Sequence, residues 1–153
     1  MSEEQLQSQF TIEKIYLKDA SVEVPNAPQI FLSRETPQVD VQLHTKGGAV
    51  DDGIFEVVLT VTVTAKIEGE KSMFLVEAGQ AGIFTLRNIP QADLEPILGI
   101  TCPNILFPYA REAVSDLVSR AGFPPVILSP VNFEAMYAQN HAQAAADEGA
   151  TTH

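Results

Sequence analysis

Hydrophobic and polar residues alternate most regularly between Ile54 and Ile67. Phe55, Val57, Leu59, Val61, Val63, Ala65 and Ile67 share one parity, Glu56, Thr60, Thr62, Thr64 and Lys66 the other, and after the leading Ile54 only Val58 is apolar on the polar side. A period of two sustained this long predicts a strand of an antiparallel sheet that buries one face and wets the other. Glu68-Gly69-Glu70-Lys71 supplies a turn, and the chain resumes from Ser72 to Leu86. There Phe74, Val76, Ala78, Phe84 and Leu86 share one face while Leu75, Glu77 and Ile83 share the other, so the two segments form a long hairpin. An earlier strand, Phe10 to Val24, has apolar residues at the even positions Phe10, Ile12, Tyr16, Ala20, Val22 and Val24, interrupted by Lys14 and Lys18. Its odd face ends in Asp19, Ser21 and Glu23, which point the same way along roughly 13 Å of strand. Pro25-Asn26-Ala27-Pro28 ends that strand, and a shorter one is expected from Val39 to Thr45 before Gly47-Gly48.

Past residues 87–91 the period changes. Leu106, Tyr109, Ala110, Ala113, Val114, Leu117, Val118 and Ala121 recur at helical spacing, which predicts a helix from about Leu106–Pro108 to just before Gly122, with Pro124-Pro125 barring continuation. A second, shorter helix is expected after Pro130 with Asn132 as its N-cap and Phe133, Met136, Tyr137 and Ala138 on it, and a short helical piece fits residues 92–98. Strands first and helices later predict an α+β fold. Residues 10–141 read as a single domain, with a flexible polar segment at 1–9 and a disordered, acidic, Ala-rich tail at 142–153.

Charge narrows the partners. Nine Lys+Arg stand against 20 Asp+Glu in 153 residues, a formal net charge of −11, which repels phosphate backbones and anionic lipid, so neither nucleic acid nor direct membrane binding is expected. The first residues lack a basic n-region and an apolar h-region, no stretch approaches 18 uninterrupted apolar residues, and Cys102 is the single cysteine. A cytosolic location without disulfides is therefore expected. His44, His141 and His153 have no metal-type spacing, so no metal site and no cofactor are expected. Gly79-Gln80-Ala81-Gly82 lies within a strand pattern and lacks the lysine of a phosphate loop, and reads as a bulge or a close backbone contact. Asp51-Asp52 and Glu68/Glu70 sit beside glycines in turns, where carboxylates are solvated. No constellation for catalysis emerges, and an enzyme is not expected. What stands out is a mixed acidic and apolar surface, Asp19 with Glu23 and Leu75 with Glu77, of a kind suited to protein partners.

Several longer stretches carry more information: Pro25-Asn26-Ala27-Pro28, the run Glu56 to Ala65 (EVVLTVTVTA), the eleven-residue block Cys102 to Glu112 (CPNILFPYARE), and Pro130-Val131-Asn132-Phe133. In order and spacing, from about Phe10 to His141, they resemble SecB, the bacterial protein-export chaperone family. The resemblance implies a four-stranded antiparallel sheet followed by a long helix and a shorter C-terminal one, assembled as a homotetrameric dimer of dimers in which Phe74, Val76 and Ala78 face assembly contacts. It implies an ATP-independent holdase that keeps precursor proteins unfolded in the cytosol and delivers them to the SecA translocation ATPase.

By the same resemblance Asp19, Glu23, Leu75 and Glu77 form the SecA-binding patch, and the zinc of that complex belongs to SecA. The client groove is implied between the loop after Pro28, the strand around Val41 and Leu43, and the final helix with Phe133 and Tyr137. Two positions depart from the family pattern: Glu35 stands where many members have Trp, and His141 where an apolar residue is common. The competing reading is a sheet-based carrier of a small apolar ligand.

Overall fold

The computed structural model describes the backbone of residues 7–151 and the side chains of residues 7–143. Four strands, β1 (Gln9–Glu23), β2 (Gln38–Asp51), β3 (Ile54–Ile67) and β4 (Lys71–Arg87), form one antiparallel sheet in the order β1-β4-β3-β2. They are followed by α1 (Gln91–Pro96), a π-helical turn (Ile97–Thr101), α2 (Cys102–Arg120) and α3 (Phe133–Thr151). The fold class is α+β, as the change of period predicts, and β3 and β4 pair as the expected hairpin.

The core lies between the sheet and α2. Val57, Leu59, Val61, Val63 and Ala65 of β3 are fully buried, and so are Leu106, Ala110, Val114 and Val118 of α2. These are the two periodicities met in the sequence, each satisfying the other's apolar face. Outward on the sheet lie the threonines of β3.

Several elements run further than their sequence signals. β2 continues through Gly47 and Gly48 because it pairs along the full length of β3, Gly47 opposite Val57 and Gly48 opposite Glu56, and the turn falls instead at Asp52-Gly53, where Gly53 adopts φ 68°. The helix expected from Leu106 begins at Gln91: α1, the π turn and α2 run on without a break over 30 residues. Pro96, Pro103 and Pro108 look like breaks but are compatible with the φ a helix requires, and the π turn, whose closing Cys102 N–H reaches back five residues to the Ile97 carbonyl, lies just before Pro103. α3 starts as expected, with Asn132 Oδ1 accepting from the Ala135 N–H at 3.0 Å. It then runs to Thr151, so helical backbone occupies most of the stretch expected as a disordered tail. Of the N-terminal segment expected to be flexible, residues 1–6 lie outside the described residues and Gln9 already pairs with Arg87.

β1 explains its own irregular pattern. Its pairing with β4 shifts between Ile12 and Lys14 and again between Leu17 and Asp19, each shift absorbing one extra residue. Each bulge reverses the parity of the residues after it. Phe10 and Ile12, then Ile15 and Leu17, then Ala20 and Val22 therefore stand on the core side, while Lys14, Tyr16, Asp19, Ser21 and Glu23 stand on the outer side. Tyr16, expected inward, is an outer-face residue for this reason.

Candidate functional site

The acidic patch is assembled by the register of β1 on β4. Glu23 lies opposite Leu75, Ser21 opposite Glu77 and Asp19 opposite Gly79, so Asp19, Glu23, Leu75 and Glu77 share the outer face of adjacent strands. Glu77 is half-buried, its Oε1 accepting from the Thr62 hydroxyl at 2.9 Å, while Asp19 and Glu23 are exposed. Asp40 of β2 extends the patch, since it pairs with Thr64, itself opposite Leu75. The result is a half-buried leucine between carboxylates, with no salt bridge to any of the four acids among the described residues.

Further along the same face, Glu56 of β3 reaches across β4 to β1. The Tyr16 hydroxyl donates to Glu56 Oε2, and Lys18 Nζ donates to Glu56 Oε1 at 2.8 Å. Those two donors, Lys18 first, hold the Glu56 carboxyl below the usual carboxylate range. Burial, then the bond to Glu56 and its charge, push the Tyr16 phenol up to about 12.

The apolar surface lies on the other, core-side face of the sheet, along the β2 edge. α2 ends at Arg120, and just beyond it Gly122 takes φ 97° as Phe123 N–H returns to the Val118 carbonyl at 3.2 Å. That reversal stacks Phe123 against Phe31 (5.1 Å between ring centres) and Phe74 (5.0 Å), and a Cβ on Gly122 would press to 3.0 Å from the Phe31 ring. Phe31, Phe123, Val39 and Val126 line a recess of about 580 Å³. Val39 and Val126 also line a second recess with Val41, Leu43 and Ile127, so the two join into one strip. Glu35 stands on its rim, its carboxylate accepting from the Glu68 N–H at 3.1 Å.

The groove expected from the sequence is thus only partly assembled. Val41 and Leu43 line the strip, but Phe133 is 2% exposed and packs edge-on against Phe107 of α2. Phe133 anchors α3 to the core, and with Tyr137 it borders a separate recess beside Thr45 and Gly99, where His141 lies 4.3 Å from the Tyr137 ring. The assembly residues need a similar correction. Phe74, Val76 and Ala78 are at most 2% exposed, because β4 is an inner strand whose core face is covered by α2. They have no surface to offer a second copy. Apolar surface is instead left on β1, where Phe10, Ile12, Leu17 and Val22, all facing the core side of the sheet, remain 37–47% exposed beyond the cover of α2.

Cys102 is buried, which pushes its thiol up to about 12, far from a reactive thiolate. No group of three or more His, Cys, Asp or Glu able to hold a metal occurs among the described residues. No helix among them is long and apolar enough to cross a membrane.

Comparison with known proteins decides the lineage. The sequence model of the family described as preprotein translocase subunit SecB matches residues 3–144. The chain belongs to the SecB family. The protein-export protein SecB of Chromobacterium violaceum is 66% identical over 146 residues, covering 95% of this chain and 97% of that one. That of Methylobacillus flagellatus is 58% identical over the whole of both chains. Among solved structures, a SecB-like chaperone of Mycobacterium tuberculosis in complex with an antitoxin peptide superposes with a TM-score of 0.66 at 20% identity, over 80% of this chain and 90% of that one, and so shares the fold.

Set on the SecB fold, the residues that sequence reasoning passed over are those brought in by chain reversals. Phe31 comes from a single 3-10 turn (Gln29–Leu32) and Phe123, Val126 and Ile127 from irregular segments, none with a period to flag them. Their signal was composition, large apolar residues beside prolines in stretches that need not be buried. Asp40 carried no signal until β2 was placed in register beside β3.

Proposed function

We propose that this protein works as an ATP-independent holdase: a protein-export chaperone of the SecB family that holds unfolded precursors in an open apolar strip and hands them to a cationic partner at its acidic face. The observation that carries this reading is the continuous strip from Phe31 and Phe123 to Val41 and Ile127, beside an edge strand. Ile127 is 69% exposed and Phe31 48%, and surface of this kind on a protein marks an interaction site. β2 closes one side of the sheet, so its outer backbone groups have no neighbouring strand. An extended client can bond to those groups whatever its sequence, while the recesses accept its apolar side chains.

No bond is made or broken in such a cycle. Binding the unfolded chain in preference to the folded one opposes client folding by mass action, about 2.7 kcal/mol at a hundredfold excess of free chaperone over Kd. Asp19, Glu23, Leu75 and Glu77 are the proposed dock for SecA, whose opposite charge would speed encounter and make it sensitive to salt. The uncovered apolar side of β1, together with its edge, is the surface proposed to join two copies, which then pair into a tetramer in the cytosol.

The test is a pair of substitutions in the strip, Val41→Asp and Ile127→Asp. Both sites are exposed, so the fold should survive while affinity for a denatured precursor falls at least tenfold. Unchanged affinity with intact circular dichroism would refute the strip as the client site.

A further inference from the structure

The second bulge of β1 is gripped from both faces of the sheet. On the core side, Gln80 is the one polar residue in the inward series Phe74, Val76, Ala78, Gln80, Gly82, Phe84, Leu86 of β4. It is 5% exposed, and its Nε2 donates to the Tyr16 carbonyl at 3.1 Å, beside the register shift between Leu17 and Asp19. On the outer side, Glu56 holds Tyr16 and Lys18, the residues flanking Leu17, from a third strand. A buried amide is costly in an apolar layer unless it is bonded, and here the bonded group is backbone next to the bulge.

We propose that Gln80 and Glu56 are positioning residues that pin this bulge and thereby set the phase of the docking strip. The reason is parity. With the extra residue absorbed between Leu17 and Asp19, Asp19, Ser21 and Glu23 face outward beside Leu75 and Glu77. Were it absorbed two or more residues later, Asp19 would instead turn toward the core side, because a one-residue slip exchanges the faces of every residue it passes. Regular pairing alone does not choose among neighbouring bulge sites, whereas the two side chains bond only to the observed one. The inference rests on the reading of the acidic face as a docking site, and its test separates the two.

The experiment measures binding of an octalysine peptide at low salt, with amide hydrogen exchange at residues 16–21, in wild type, Gln80→Leu, Glu56→Ala, Glu56→Gln and Asp19→Lys/Glu77→Lys proteins. Gln80→Leu is close in size to glutamine and removes the inner bond; it is expected to weaken peptide binding by up to about fivefold, the limit set by the worth of one neutral hydrogen bond, and to speed exchange at 16–21. Glu56→Ala should do the same. Glu56→Gln loses the same charge but still accepts the Tyr16 hydroxyl, and should restore both wild-type affinity and slow exchange. Gln80→Leu with unchanged affinity and exchange would overturn the proposal, as would Glu56→Gln behaving like Glu56→Ala. If Asp19→Lys/Glu77→Lys leaves octalysine binding intact, the docking assignment has failed, and the exchange pattern still decides whether the bulge is pinned.

Discussion

Two glycines of β4 make opposite predictions about the same substitution. Gly82 faces the core, where an added Cβ would lie 2.8 and 2.9 Å from the ring atoms of Phe84 and 3.1 Å from Leu106 Cδ2, and both neighbours are fully buried. Phe84 cannot retreat without displacing α2, so Gly82→Ala should carry the overpacking cost of about 1–3 kcal/mol. Part of this is offset by the lower entropy of the unfolded alanine chain, about 0.4–1 kcal/mol, leaving a net loss centred on about 1.3 kcal/mol and at most about 2.6 kcal/mol. Gly79, three residues earlier on the outer face, meets nothing closer than Asp19 Cβ at 3.5 Å. Gly79→Ala should therefore keep the entropic gain and stabilise by about 0.5 kcal/mol. Urea unfolding monitored by far-UV circular dichroism, at one fixed protein concentration, reads both midpoints. The expected order is Gly79→Ala above wild type above Gly82→Ala. A Gly82→Ala protein as stable as Gly79→Ala would refute the close approach of α2 to the sheet at that point.

Other perturbations address function and pH. Asp19→Lys combined with Glu77→Lys should weaken SecA binding at least tenfold at low salt while binding of an unfolded precursor changes less than twofold; equal SecA affinity would sink the patch assignment. Phe123→Ala removes the ring stacked between Phe31 and Phe74, and by the worth of such pairs, about 0.5–1.5 kcal/mol each, should loosen the recess and weaken client capture severalfold, read by titration with a fluorescent denatured precursor. One of the three tyrosines, Tyr16, should ionise near pH 12, and Glu56→Gln, which removes the carboxylate charge but leaves the burial and a hydrogen-bond acceptor, should lower that value only slightly, as tracked by phenolate absorbance. The linked stability has a definite sign at each limit: the raised Tyr16 value contributes below pH 10 and is lost as pH climbs toward 12, whereas the depressed Glu56 value contributes above the ordinary carboxylate pKa and is lost as acid protonates the folded form. Urea midpoints across pH should fall at both limits, and in Glu56→Gln the acid limb should flatten.

Legibility tracked periodicity. β3 and the stripe on α2 could be read residue by residue, because each segment buries one continuous face and period alone reports it. The outward grouping of Asp19, Glu23, Leu75 and Glu77 was legible too, since no bulge separates Asp19 from Glu23. Tyr16 was misplaced because a bulge changes parity without a compositional mark, and Lys14 and Lys18, which interrupt the apolar face in the sequence pattern, sit where that parity turns outward. The short helical piece expected at 92–98 is there, but the prolines at 96, 103 and 108 hid its continuity with the helix expected from Leu106, although their ring constrains φ to a value helices share. Phe133 is on the expected helix, yet helical spacing cannot tell whether a ring covers its own core or a client, and packing on Phe107 settles that for the chain alone. Phe74, Val76 and Ala78 share the face that alternation gives them; what covers that face, α2 of the same chain, depends on topology.

Holdase action is tested head-on by the spontaneous refolding of a denatured precursor protein, diluted into buffer without nucleotide, with and without this protein, alongside its native mass. Refolding should be arrested once the chaperone assembly is present in modest molar excess, with no ATP needed, and the assembly should have about four times the mass of one chain. Refolding at the same rate and yield in the presence of saturating protein would contradict the holdase function itself.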